Sequence, residues 1–228
     1  MDAIDTAKEE KMTVITEKPT VELMAITPNA EQVIELACRT CYLSFHRYNP
    51  PASTEDLIKK VIRKKHHSVL EHASATFRIK GGSRVMTHEL VRHRLMSPSQ
   101  ESQRYVEFGK TREYEIVVPP TVEKEGFRDR YIKMASECRD LYQEMVDAGV
   151  PKEDARYILP NGTTSEIVIS ANFREFRHIF QVRCNPRAHW EIRRICLIML
   201  EILKKEAPIV FDDVVIDRET NSATIIES

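Results

Sequence analysis

Residues 92–105 read Arg-His-Arg-Leu-Met-Ser-Pro-Ser-Gln-Glu-Ser-Gln-Arg-Tyr. Three basic side chains in a row precede a hydroxyl-rich stretch with no apolar period, and Arg104 follows. Guanidinium forks suit bidentate phosphate recognition, while hydroxyls and loop amides add further donors. Side chains of these types at this density point to a site for a doubly phosphorylated or nucleotide-like ligand.

Other groups could also do chemistry. His66-His67-Ser68-Val69-Leu70-Glu71-His72 holds three His and one Glu, types that suit zinc. It has no strict His-Glu-x-x-His and lies at a helix end, so its side chains need not converge. Polar cofactor contacts or a simple cap are the other readings. Arg156 reads as a ligand group or as a surface Arg paired with an acid. Asn172-Phe173-Arg174, with Arg177-His178 one turn on, is an N-cap or an anion site at a helix N-terminus. Arg183 to Glu191 begins a further helix and contains the only Trp, Trp190. Cys38-x-x-Cys41 has no second pair downstream and reads as two small apolar residues near a helix end, with metal or redox chemistry as the other reading.

These groups need elements to position them. The pattern predicts a strand over 21–26, a helix from Pro28-Asn29 to about Arg39, and a helix capped at 53–56 that runs to Lys65. Ala75, Phe77 and Ile79 alternate with Thr76, Arg78 and Lys80, as in a half-buried strand. Gly81-Gly82 then turns the chain, and Ser83 caps a helix whose last turn is Arg92-His93-Arg94, with Pro98 in the loop beyond. A strand over 113–118 precedes a long helix with Phe127, Tyr131, Met134, Cys138, Leu141 and Met145 along one stripe, either core or subunit contact. That helix ends at Gly149, and Pro151 starts a short one. Glu166 to Ser170 is a short strand with Asn172 as the next cap. The last helix, about 187–206, is apolar nearly all round from Ile195 to Leu203, which implies burial and, in a chain of this size, an oligomer. The expected fold is α+β: a mostly antiparallel sheet packed with several long helices, single-domain and oligomeric. Residues 1–18 read as a mobile leader (Met12 could be an internal start), 19–215 as the catalytic domain and 216–228 as a C-terminal tail.

Composition narrows the function classes. The 228 residues are 42% hydrophobic and 30% charged, with a net charge of −1, which argues against nucleic-acid or membrane binding through bulk electrostatics. Any anion site must be a local cluster. Five widely spaced Cys fit a reducing cytosol better than a disulfide framework, and no apolar run is long enough to span a bilayer. A soluble, cytoplasmic protein is expected.

Taken in order, the groups resemble the flavin-dependent thymidylate synthases, which methylate dUMP to dTMP. The family hallmark is Arg-His-Arg, two residues, Ser, four residues, Ser, one residue, Arg. Arg92-His93-Arg94, Ser97, Ser102 and Arg104 fill it completely. The segments around 66–72, 81–94, 149–160 and 172–192 also look like the family's blocks, and the resemblance covers roughly 20–210. It implies FAD as cofactor, NADPH as reductant, methylenetetrahydrofolate as one-carbon donor and a homotetramer with shared active sites. It implies no metal, no nucleic acid, no membrane and no enzyme Cys nucleophile. Carried across by position, His66, Ser68, Glu71, Arg92, His93, Arg94, Gln100, Asn172, Arg174 and His178 would hold FAD. Glu89, Arg92, Gln100, Glu101, Ser102, Gln103, Arg104, Arg156 and Arg183 would hold dUMP, with Arg104 and Arg156 on its phosphate. Arg183 would be catalytic, favouring the N3-ionised uracil so that C5 becomes electron-rich.

Two positions depart from the family pattern. Glu89 stands where many members have Gln, and a carboxylate there opposes an anionic substrate unless a cation neutralises it. His189 replaces a common Gln. Three rival readings remain: a flavoprotein of the same fold that lacks thymidylate synthesis, a non-enzymatic nucleic-acid-binding module on Arg92 to Arg104, and a zinc hydrolase on His66, His67 and His72. The near-zero net charge counts against the nucleic-acid module.

Overall fold

The computed structural model describes residues 14–15, 18–108 and 110–226. Most of the expected leader lies outside the described residues. Within it, β1 (Val14–Ile15) pairs in parallel with β5 (Glu115–Ile116).

A four-stranded antiparallel sheet organises the chain, in the order β2 (Thr20–Ile26), β3 (Ser74–Ser83), β6 (Thr164–Asn172), β4 (Ser97–Gln100). Alternation places Ala75, Phe77 and Ile79 on one face, opposite Ala171, Ile169 and Ile167 of β6, and all six are buried. The other face is polar, with a Thr76–Ser170 hydroxyl bond of 2.8 Å and an Arg78–Glu166 ion pair. Against the apolar face pack α1 (Ala30–Thr40), α2 (Ala52–Arg63), α3 (Arg84–Leu90), α7 (Phe173–Arg183) and α8 (Trp190–Glu206). A smaller core of Phe108, Tyr114, Ile116, Ala135, Tyr142 and Ala155 lies under α5 (Arg128–Asp147), flanked by α4 (Pro120–Lys124) and α6 (Lys152–Ala155). A hairpin of β7 (Val214–Asp217) and β8 (Ser222–Ile225) closes the fold. The expected α+β, antiparallel, single-domain architecture is the one observed.

Several local expectations are corrected. Gly81-Gly82 does not turn the chain: β3 runs on to Ser83 through a register shift between Ile79 and Gly82, with Gly81 at φ 74. Ser83 does cap α3, its Oγ accepting from Met86 N at 3.1 Å. The helix stops at Leu90, so Arg92-His93-Arg94 forms the turn beyond it, and the hydroxyl-rich segment begins as the edge strand β4. Ser53 and Thr54 do not cap α2; they donate to the buried carboxylate of Glu35, which Arg39 also binds. Burial alone would raise that carboxyl's pKa, but these hydrogen bonds outweigh it and hold it low.

The apolar circumference of α8 is accounted for within one chain. Ile195, Leu200 and Leu203 are fully buried in the main core, against which Ile216 and Ile225 of the hairpin also pack. That helix is therefore no evidence for an oligomer. The residues expected as a tail include part of β7 and all of β8; Ala223 is buried and its N–H donates to Cys184 O at 2.9 Å. The α5 stripe is divided. Tyr131 and Met145 pack on the smaller core, whereas Phe127, Met134 and Leu141 are exposed.

Candidate functional site

The turn after α3 and the C-terminus of α7 meet. Buried Glu191, in the first turn of α8, accepts from Ser83 N at 2.7 Å and from Ser83 Oγ at 2.5 Å, tying the start of α3 to the start of α8. On this frame Arg183, the last residue of α7, reaches back to the turn. Its Nε donates to His93 Nε2 at 2.9 Å, its Nη1 to Glu89 Oε2 at 2.8 Å and its Nη2 to the Glu89 carbonyl at 2.9 Å. The other Glu89 oxygen lies 3.7 Å from His189 Nδ1. Burial, the Arg183 charge and His178 together push the His93 pKa down to about 4. His93 is thus a neutral acceptor for Arg183.

Two adjoining cavities open beside this cluster. One, of about 510 Å³, is lined by Arg92, His93, Arg94, Leu95, Glu175 and His178. The other, of about 730 Å³, includes Lys65, His67, Glu71, Asn172, Arg174 and Gln181, and shares Leu95, Glu175 and His178 with the first. Asn172 caps α7, Oδ1 accepting from Glu175 N at 2.9 Å, which presents the first turn of that helix to the second cavity. Arg174 pairs with Glu71 on the rim. Arg92 and Arg94 are exposed and have no acidic partner among the described residues. A cation-rich wall around roughly ligand-sized volumes suits an anionic, two-phosphate cofactor such as FAD.

Seven of the ten residues expected at FAD therefore line these cavities: Glu71, Arg92, His93, Arg94, Asn172, Arg174 and His178. His66 and Ser68 are exposed and line neither; His67 does instead. Gln100 spends its amide on Thr87 Oγ1 and Ser165 Oγ, 3.0 Å each, and fixes β4 to α3 and β6. Arg177 is committed to structure, forking onto both oxygens of Asp213 at 2.7 and 2.6 Å. Among the described residues no three His, Cys, Asp or Glu side chains converge as a metal-holding group.

A second basic cluster assembles at the far end of the 92–104 segment. Arg104 Nε donates to Glu153 Oε2 at 2.9 Å, and Arg156 Nε to the Glu153 carbonyl at 3.1 Å. Glu101 turns inward, accepting from Arg112 Nη1 at 2.7 Å and from Glu166 N at 3.1 Å. Ser102 Oγ accepts from Arg104 N at 3.3 Å, and Gln103 is buried. The sequence reading missed Arg84. Its Nη1 is buried without a partner, and burial together with Arg156 lowers its pKa. A signal was present: Arg84 is the first residue of a helix, where a cation opposes the macrodipole. No hydrogen bond or ion pair joins this cluster to Arg183 among the described residues. A cleft of about 440 Å³ between α8 and the hairpin contains none of the residues expected at the site.

Comparison with known proteins follows the same lines. Residues 22–209 match the family model described as "Thymidylate synthase complementing protein". A flavin-dependent thymidylate synthase of Geobacter sulfurreducens is 42% identical over 199 residues, covering 85% of each chain. One from Corynebacterium efficiens is 38% identical, covering 81% of this chain and 79% of the relative. A crystal structure of the UMP/dUMP methylase PolB from Streptomyces cacaoi bound with 5-Br dUMP superposes with a TM-score of 0.78 at 22% identity, covering 87% of this chain and 95% of that one, a likeness of fold.

Proposed function

The chain belongs to the flavin-dependent thymidylate synthase family, and we propose that it methylates dUMP to dTMP, with methylenetetrahydrofolate as one-carbon donor and NADPH as reductant. The observation that carries this reading is the convergence of Arg183 on His93 across 90 residues of sequence, beside two cation-walled cavities.

FAD, when bound, would supply the one-carbon relay and the hydride chemistry of the reaction. The chain's own residues bind and orient. Arg92, Arg94 and Arg174 would hold the anionic parts of the cofactor, with neutral His93 as an uncharged wall. Arg183 would face the pyrimidine and favour its N3-ionised form. Arg104 and Arg156, with Arg84 beside them, would take the phosphate, and charge-assisted bonds of this kind contribute about 1.5–3 kcal/mol each. Ser102 would position substrate. Cys38 and Cys184 are buried, and burial pushes their thiols up to about 11 and about 12 respectively, which supports a mechanism without a Cys nucleophile.

A homotetramer with shared active sites belongs to the same reading, on the strength of the family membership. The exposed Met134 and Leu141 of α5, with Phe127 just before its start, offer an apolar face for such assembly. Five cysteines that form no disulfide support a cytoplasmic setting.

An absorbance spectrum of the purified protein followed by tritium release from dUMP labelled at C5 tests the proposal. A flavin band and NADPH- and folate-dependent release are expected. A flavin-containing protein that releases no tritium with any reductant would instead favour the flavoprotein without thymidylate synthesis.

A further inference from the structure

Glu175 lies in the first turn of α7 with its side chain only 6% exposed. Among the described residues it is the one acidic side chain that lines both cavities. No hydrogen bond among those residues ends on its carboxylate, and its Oε1 lies 3.7 Å from Nδ1 of the neutral His93 ring. Burial raises its pKa, and His178 partly opposes that. A buried carboxylate without donors is costly unless some arrangement uses it.

The opposite edge of His93 is already fixed. Arg183 Nε can only donate, and it does so to His93 Nε2 at 2.9 Å. That nitrogen must carry a lone pair, so the imidazole proton sits on Nδ1, the atom that faces Glu175. A contact of 3.7 Å is slightly longer than a hydrogen bond, and a shift of about half an ångström would close it. His178 packs edge-on against the same ring with centroids 5.8 Å apart, limiting how the imidazole can rotate.

We infer that Glu175 is a positioning residue: by accepting from the Nδ1–H that Arg183 leaves on His93 it holds that ring's orientation, and through the ring it aims the Arg183 guanidinium. A partner on the second nitrogen is the general way an imidazole is oriented at a functional site. Glu175, His93, Arg183 and Glu89 then form one continuous row, with a carboxylate at each end and the neutral ring and the cation between. The consequence for turnover rests on the proposed role of Arg183 toward the pyrimidine; the tautomer does not.

The test uses flavin-loaded protein labelled with ¹⁵N in histidine, with solid-state spectra and the His93 signals assigned by loss in His93→Gln. The parent should show protonated Nδ1 and unprotonated Nε2. Glu175→Gln, whose amide oxygen still accepts, should keep that tautomer and stay within about three-fold of the parent kcat, under ~0.7 kcal/mol. Glu175→Leu offers no acceptor; its His93 Nδ1–H signal should shift and broaden as the ring loses its fixed orientation, and kcat should fall about ten-fold, ~1.4 kcal/mol, at unchanged flavin content. A parent spectrum with the proton on Nε2 overturns the inference, as does a Glu175→Leu protein with parental spectrum and kcat. If Glu175→Leu does not fold, the parent spectrum and Glu175→Gln still decide: a tautomer changed by Gln overturns it. The expected spectra in a protein that never turns over dUMP would uphold the tautomer assignment while removing the proposed activity.

Discussion

Replacing Arg183 with Lys separates charge from shape at the centre of the site. The guanidinium serves three acceptors, His93 Nε2, Glu89 Oε2 and the Glu89 carbonyl, at 2.9, 2.8 and 2.9 Å. A Lys ammonium is a single point of charge on a flexible stem. If it stays with the carboxylate, it must release the ring and the carbonyl. Side-chain exposures of 18% for Arg183 and 29% for Glu89 leave solvent able to compensate only in part. Two charge-assisted bonds at the low end of about 1.5 kcal/mol each give ~3 kcal/mol of lost ordering. If that ordering is needed in the transition state, kcat should fall on the order of a hundred-fold. The assay is tritium release at saturating dUMP, with flavin occupancy read from absorbance. Retained flavin with the reduced rate is expected. A Lys variant within about two-fold of the parent would show that charge alone suffices and refute the role given to the fork. Loss of flavin would move Arg183 from the substrate to the cofactor.

Two further outcomes are expected. Ser102→Ala should keep measurable turnover, because among the described residues Ser102 Oγ hydrogen-bonds to the Arg104 amide alone, at 3.3 Å, and no base is bonded to it; normal dUMP binding with no turnover at all would make Ser102 a nucleophile. The other concerns pH. His93 is pushed from 6.5 to about 4, so between those values the unfolded chain binds a proton that the folded chain refuses. The stability from keeping His93 neutral is therefore fully present above about pH 6.5 and lost as pH falls toward 4, by about 3 kcal/mol at most. Urea midpoints across this range should drop on acidification, less steeply in His93→Gln; identical slopes in the two proteins would refute it.

Legibility in the sequence followed the range of the interactions. Period-two alternation in Ala75, Phe77 and Ile79 and the caps at Ser83 and Asn172 are local, and the structure contains each of them. Gly81-Gly82 was misread because a glycine pair serves a bulge as well as a turn, and only the partner strand decides between them. The hairpin at 214–225 was missed although Val214, Ile216 and Ala223 alternate and Asn221, at φ 47, supplies a turn residue. At the site, residue identities were legible from the Arg-His-Arg spacing, but their partners were not. Gln100 looks like any loop amide until β6 and α3 arrive beside it, and nothing near Arg84 in sequence shows that Arg156 will face it.

Glu89 and His189 show how much such long-range pairing decides. Each departs from a common Gln, and Glu89 alone would repel a nucleotide monophosphate. In the fold they are not separate events, since Glu89 Oε1 lies 3.7 Å from His189 Nδ1 while Oε2 holds Arg183. The added negative charge is absorbed inside the cluster before any substrate meets it. A ligand that engages Arg183 must then compete with a carboxylate at 2.8 Å, so this cation contributes orientation more than bulk attraction. On the proposed function, attraction falls to Arg104 and Arg156, both on Glu153, and to Arg84, which lies beside Arg156 and whose Nη1 is buried without a hydrogen-bond partner. The proposed function thereby gives affinity for the phosphate and activation of the pyrimidine to different arginines, and substitutions in one group should alter KM while those in the other alter kcat.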